Sequence, residues 1–192
     1  MKEFNLAELK KLYLPPENSH KGQNGKLLLI GGSKLFHAAS LWSLEIASKI
    51  VDMVFYASVP ENNKIVHEAK SAFKNGIVSP REHIDDYIRE ADCILIGPGM
   101  VRTEFRIQNS EFRIDDIKAI NKIPDEGGQT YWLTKYILHK YPKKKFVIDA
   151  GALQMLDPQW LLPLKHPPIL TPHPKEFQRV FNIEASLDHV DH

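Results

Sequence analysis

The chain has 192 residues, 43% of them hydrophobic and 26% charged, with a formal net charge of +1. That length fits a single domain over 1–192 with a sizeable core, and the near-neutral charge argues against a broad nucleic-acid-binding surface. One cysteine, Cys93, rules out an internal disulfide and fits a reducing, cytoplasmic setting, and no apolar run reaches the length of a membrane span.

Phe4, Leu6, Leu9 and Leu12 give residues 4–12 an amphipathic helical pattern, which Pro15-Pro16 ends. Residues 1–11 lack the long apolar centre of a signal peptide. His20-Lys21-Gly22-Gln23-Asn24-Gly25 is a polar loop rich in turn residues. It leads into a short continuous apolar run at 27–30, the pattern of a strand covered on both faces. Gly31-Gly32 breaks the chain, and residues 38–51 resume helical spacing. A strand, a glycine turn and a helix make an anion site when the free N–H groups of the first helical turn meet a ligand. The same three parts also make a plain turn between core elements. The stretch matches neither GxGxxG nor GxxxxGK[ST], so Gly31 and Gly32 are candidate phosphate- or nucleotide-binding residues by position alone.

Residues 53–59 have strand composition, and Pro60 stops them. Residues 62–73 read as a helix with Ile65, Val66, Ala69, Ala72 and Phe73 on one side, and 82–90 as a short polar helix. The run 93–96 is a second buried strand that ends in Gly97-Pro98-Gly99-Met100. Ligand sites in open α/β sheets gather at the carboxyl ends of strands, so two apolar strands ending in glycine turns reinforce each other. Residues 101–128 break the α/β rhythm, with Glu-Phe-Arg-Ile at 104–107 and again at 111–114. We read them as an insertion at the rim, a lid or an oligomer contact.

Residues 129–141 read as a helix whose Tyr131, Trp132 and Tyr136 serve a core or a subunit interface. Lys143-Lys144-Lys145 is a solvated turn before a strand at 146–148, which ends at Asp149. A further strand at 167–170 runs into Thr171-Pro172-His173-Pro174-Lys175-Glu176. With His173 as N-cap, Pro174 takes the favoured first helical position and Glu176 the third. The helix covers 175–181 and a polar tail follows. Asp188, His189, Asp191 and His192 in that tail make no complete ligand set, so no metal site is assigned.

In this order, His20-Lys21-Gly22 with Gly25, Leu29-Ile30-Gly31-Gly32-Ser33, Ala38-Ala39, Ile96-Gly97-Pro98-Gly99, Val147-Ile148-Asp149-Ala150 with Ala152-Leu153, and Leu170-Thr171-Pro172-His173-Pro174 with Glu176 resemble the ADP- or ATP-dependent NAD(P)H-hydrate dehydratases. That family, the YjeF carboxy-terminal domain family, has a ribokinase-like fold. The alternation of buried strands with helices predicts an α/β fold with a largely parallel sheet and central strands at 27–30, 54–59, 93–96, 146–149 and 168–171, and the resemblance implies a three-layer αβα architecture. It implies metabolite repair by a lyase that binds hydrated NAD(P)H near Ala39, Gly97, Gly99, Asp149 and His173. It also implies Mg2+ with ADP or ATP as co-substrate. The chain's own charge and apolar pattern lead us to expect a homo-oligomer that engages neither nucleic acid nor membrane.

The chain departs from the family pattern at Ala38, at Met100-Val101 and at Gly151, where the family carries glycine, a glycine after the leucine of Gly-Pro-Gly-Leu, and aspartate. The family's later Gly-Thr-Gly-Asp motif, which supplies its anion hole and catalytic aspartate, does not occur in these residues. The sequence therefore reads as the fold truncated at its carboxyl end, with its catalytic residues unassigned. A ribokinase-like small-molecule kinase and a nucleotide-binding protein without catalysis are the two other readings that the residues leave open.

Overall fold

A computed structural model describes residues 5–73, 75–103 and 116–184. Six strands form one sheet: β1 (Lys26–Ile30), β2 (Met53–Ser58), β3 (Ile77–Pro80), β4 (Cys93–Ile96), β5 (Lys145–Ile148) and β6 (Ile169–Leu170). Their order is β3-β2-β1-β4-β5-β6, and every neighbouring pair is parallel. Seven α-helices join or follow them: α1 (Ala38–Ala47), α2 (Pro60–Phe73), α3 (Ile84–Glu90), α4 (Ile117–Asn121), α5 (Glu126–Lys140), α6 (Ala150–Gln154) and α7 (Pro174–Phe181).

A parallel sheet is buried on both faces because its crossover helices cover it. The inward row Leu28, Ile30, Phe55, Ala57, Ile94, Ile96, Phe146 and Ile148 packs against Ile84 and Ile88 of α3, Ile117 and Ile120 of α4, and Leu133 and Ile137 of α5. On the other face Leu29, Val54 and Tyr56 meet Leu44 of α1 and Val66 of α2. Each fully buried Leu or Ile of this kind contributes about 1.5–3 kcal/mol. The chain steps from β1 outward to β3, returns to β4 and steps outward the other way. Right-handed crossovers then put the helices of the two halves on opposite faces, with the reversal between β1 and β4.

Cover thins along one row of that second face. Register aligns Tyr56, Leu29, Leu95, Val147 and Ile169 across five strands. Tyr56 and Leu29 are fully buried, Leu95 and Val147 partly, and Ile169 is 62% exposed.

The α/β class, the parallel sheet and the cores of five strands agree with the sequence expectations, and several details do not. Strand β3 was not anticipated; it is four residues long, lies at an edge and ends in proline. Strand β6 has two residues and forms the opposite edge, where a central strand was expected. Pro60 opens α2 instead of merely ending β2, since its fixed φ suits the first helical turn. Helix α1 stops at Ala47, short of residue 51.

Of the expected insertion, residues 104–115 with both Glu-Phe-Arg-Ile copies lie outside the described residues, as does the metal-capable tail from 185. Its remainder belongs to the fold. Ile117 and Ile120 of α4 are core residues, and α5 begins at Glu126, its N-cap Asp125 accepting a bond from Gly128 N at 2.6 Å. The amino-terminal helix is a 3-10 turn over Leu6–Lys11.

Candidate functional site

The strand ends of β1, β4, β5 and β6 stand side by side, and their following loops are stitched together by backbone. Gly97 N donates to Ile30 O at 3.0 Å, Gly32 N to Pro98 O at 2.7 Å, Asp149 N to Ile96 O at 3.0 Å and Thr171 N to Ile148 O at 3.3 Å. With strands spaced about 4.8 Å apart, the row from β1 to β6 spans about 14 Å.

Gly32 sits at φ +70°, and a Cβ there would lie 2.0 Å from Asn62 Nδ2. Only glycine admits both that backbone and that neighbour. Asn62 is buried and central to a polar cluster beneath the turn. It donates to Ser58 Oγ at 2.9 Å and to the Tyr56 hydroxyl, which donates to Ser40 Oγ at 2.7 Å, while Asn62 Oδ1 meets His37 Nδ1 at 2.7 Å. The cluster ties β2 and α2 to the first turn of α1. That turn carries no acidic residue, and its N-cap His37 makes no side-chain cap bond, so its leading N–H groups have no capping acceptor from the helix itself. Ala39 lies in this turn and is exposed.

Gly99 packs against the Gly32 turn, at 3.3 Å from Gly32 Cα to the position of an added Cβ. Gly97, at φ +123°, lies directly on the Asp149 carbonyl. Asp149 Oδ1 accepts from Thr171 Oγ1 at 2.7 Å, which joins the tips of β5 and β6. Ala150 follows at φ +40°, a left-handed conformation costly for alanine, and α6 starts there.

His173 is the N-cap of α7, as its sequence context implied. Its Nδ1 accepts from Lys175 N at 3.2 Å and Glu176 N at 3.4 Å, while Glu176 Oε2 accepts from His173 N at 3.0 Å. An accepting Nδ1 carries no proton, so the neutral ring is protonated on Nε2. Sequence reasoning missed the support behind this histidine. Arg102 Nη1 donates to Gln154 Oε1 at 3.1 Å, and Gln154 Nε2 to Glu176 Oε1 at 2.6 Å. Glu176 is only 7% exposed, and the chain of bonds runs from the loop after β4 through α6 to α7. No spacing rule links residues 102, 154 and 176.

A row of glycine turns and one helix start at the reversal point of a doubly wound sheet can hold a phosphate-bearing molecule, with Asp149 and His173 at its far end. Mg2+ carried on nucleotide phosphates needs only one or two protein carboxylates. Asp149 fits that need, and no group of three His, Cys, Asp or Glu side chains able to hold a metal ion occurs among the described residues.

Solved structures define the class. The chain matches a ribokinase-like superfamily protein of Enterococcus faecalis with a TM-score of 0.67 and 19% identity, over 91% of this chain and 55% of that one. It matches an ADP/ATP-dependent NAD(P)H-hydrate dehydratase of Bacillus subtilis, co-crystallised with ATP and Mg2+, with a TM-score of 0.60 and 23% identity, over 90% and 53%. The fold is ribokinase-like. The family model described as NAD(P)H-hydrate dehydratase matches residues 27–191, and the chain belongs to that family. It is 31% identical to a bifunctional NAD(P)H-hydrate repair enzyme Nnr of Methanocaldococcus jannaschii over 90% of this chain and 31% of that protein. An ADP-dependent (S)-NAD(P)H-hydrate dehydratase of Staphylococcus aureus is 28% identical over 87% and 52%. The chain thus spans about half the length of that dehydratase and about a third of the bifunctional enzyme.

Proposed function

We propose that this chain works in nicotinamide-nucleotide repair, the nucleotide-dependent dehydration of hydrated NAD(P)H to NAD(P)H. One observation carries the reading: the family match spans residues 27–191, and within it β1, β4, β5 and β6, whose following turns carry the motifs that resemble this family, are neighbours in the sheet. Hydroxide leaves a hydrated nicotinamide ring poorly, whereas phosphate leaves well. Phosphoryl transfer from ADP or ATP to the ring hydroxyl breaks the donor's terminal P–O bond, forms a new P–O bond to the ring oxygen and releases the hydroxyl proton to solvent. The ring nitrogen's electron pair then expels phosphate, and loss of a ring proton restores the reduced nicotinamide.

In this reading the glycine turns at 31–32 and 97–99 and the start of α1 meet phosphate oxygens. Ala39 leaves room against the dinucleotide, and His173 Nε2–H donates to it. Asp149 orients the substrate or a nucleotide-borne Mg2+, which supplies charge neutralisation for the transferring group. The residues described here bind and orient; none is assigned the role of base. A single cysteine suits work in a reducing, cytoplasmic compartment. No helix of the described residues is long and apolar enough to cross a membrane.

The test supplies the purified protein with hydrated NADH or NADPH, Mg2+ and either ADP or ATP, and follows recovery of the reduced-nicotinamide absorbance together with phosphate release. Dinucleotide binding by calorimetry reads the binding residues apart from turnover. A stable phosphorylated product would instead identify a small-molecule kinase, and an absence of dinucleotide binding would overturn the reading.

A further inference from the structure

The strand order β3-β2-β1-β4-β5-β6 is that of doubly wound sheets built from two mononucleotide-binding halves, in which a dinucleotide lies across the reversal with one nucleoside on each half. In this protein the half formed by β4, β5 and β6 carries Asp149 and His173. The half formed by β1, β2 and β3 carries a cavity of about 780 Å3, within the range of about 300–1,000 Å3 usual for small-molecule sites.

The cavity adjoins the first glycine turn of the strand-end row. Gly31 N donates to Ala57 O at 3.2 Å, and the next residue of β2, Ser58, lines the cavity. Lys34, two residues past Gly32, lines it too. The Lys34 N–H donates at 3.3 Å to Oε2 of Glu126, another lining residue. Parallel strands stand about 4.8 Å apart, so the ends of β2 and β3 lie about 5 and 10 Å from that of β1. A pyrophosphate held at the Gly31-Gly32 turn therefore has room for a nucleoside on this side as well as on the side of Asp149. Val59, Val78 and Pro80 supply an apolar wall for a base.

Charge decides what the sugar carries. Four glutamates of the lining outnumber its two lysines and one arginine. The arginine, Arg81, is only 6% exposed, and its Nη1 donates to Gln129 Oε1 at 3.0 Å. Lys34 Nζ lies 3.4 Å from Oε1 of Glu61, in the first turn of α2 just past the end of β2. In dinucleotide-binding sheets of this order a carboxylate accepts from the ribose 2′-hydroxyl, and a nearby arginine is needed where that position is phosphorylated. Here an exposed carboxylate is in place, the arginine is buried and Lys34 is paired.

Resting on the repair reading above, we propose that this cavity holds the adenosine end of the dinucleotide, with the nicotinamide end over Asp149 and His173. Glu61 accepts from a free 2′-hydroxyl, so the form without the 2′-phosphate is preferred.

The test titrates NADH, NADPH and reduced nicotinamide mononucleotide into the isotope-labelled full chain. NADH should shift the backbone amides at 58–63 and 77–82 together with those at 149–151 and 173–176, whereas the mononucleotide should shift only the second group. NADPH should bind about tenfold more weakly than NADH, the scale of one lost hydrogen bond to a charged group. Glu61 is exposed, and Glu61→Ala removes the acceptor and frees Lys34, so it should weaken NADH, strengthen NADPH and erase the preference. Glu82→Lys, at another exposed carboxylate of the lining, should move the ratio the same way and gives a second reading should Glu61→Ala not fold. Absence of NADH binding would overturn the repair reading and this proposal together. NADH binding that shifts 31–32, 97–99 and 149–151 but leaves 58–63 and 77–82 in place would overturn the proposal alone. So would mononucleotide shifts at 58–63, equal binding of NADH and NADPH, or an unchanged ratio in the folded variants.

Discussion

Gly97 and Asp149 touch so closely that a Cβ added to Gly97 would come within 1.7 Å of the Asp149 carbonyl oxygen. Gly97→Ala must push the β4 and β5 tips apart, and it also forces alanine to adopt a φ near +123°. Overpacking and a left-handed backbone each cost about 1–3 kcal/mol. We expect a loss of about 3 kcal/mol in denaturant unfolding, together with loss of dinucleotide binding. A folded Gly97→Ala protein of parental stability would show that the two loops move apart freely.

His173 caps α7 through Nδ1, and its Nε2 lies 3.6 Å from Glu176 Oε1; the second task proposed for it is donation of Nε2–H to the dinucleotide. His173→Ala removes both and should cost about 1 kcal/mol of stability. His173→Asp keeps a capping acceptor at the helix start, so melting should recover while calorimetric binding of the dinucleotide does not. Recovery of binding in the aspartate variant would reduce the imidazole to a cap.

Acid should weaken the seam between α3 and α5. Asp85 Oδ2 accepts from Lys140 Nζ at 2.7 Å and from the Tyr136 hydroxyl at 2.7 Å. Burial pushes the Asp85 carboxyl up, but bonds to Lys140 and Tyr136 outweigh it and hold the pKa below the ordinary value. A depressed folded pKa adds stability above the unfolded value of about 3.9 and loses it as pH falls through the folded one. Asp85→Asn should therefore be less stable than the parent at neutral pH, with a difference that shrinks below about pH 4. A constant difference across that range would rule out this carboxylate as its source.

Among the described residues β6 is an edge strand, with Ile169 62% exposed. Edge strands can pair with other chains, and we predict that any self-association of this chain runs through this edge. Ile169→Lys should lower the weight-average mass in sedimentation at micromolar concentration. An unchanged assembly would move the contact elsewhere, with the exposed Trp42 and Ile46 of α1 the next positions to alter.

Legibility in the sequence followed burial. Leu28, Ile94 and Phe146 lie in short apolar runs on strands with a neighbour on each side, and those runs are visible without structure. Ile77 and Ile169 are more than two-fifths exposed, because edge strands need no continuous apolar pattern, and their extents were missed. Gly127-Gly128 hid the first turn of α5, whose helical geometry comes from the Asp125 cap instead of propensity. Among site residues, His173 was readable because an N-cap, a proline and a glutamate follow local rules. The Asn62 and Gln154 networks were not, since their partners lie at distant sequence positions joined only by the folded sheet.

The row from Tyr56 through Leu29, Leu95 and Val147 to Ile169 is also a ranking of opening free energies. Backbone amides exchange with solvent when a segment detaches, and detachment costs least where apolar cover is thinnest. Amides of Leu28–Ile30 and Ile94–Ile96 will retain hydrogen longest, whereas those of Ile169 and Leu170 will trade it for deuterium early. The sheet therefore opens like a fan from its β6 blade, and the tip bearing Thr171 and His173 leaves before the glycine turns lose their shape.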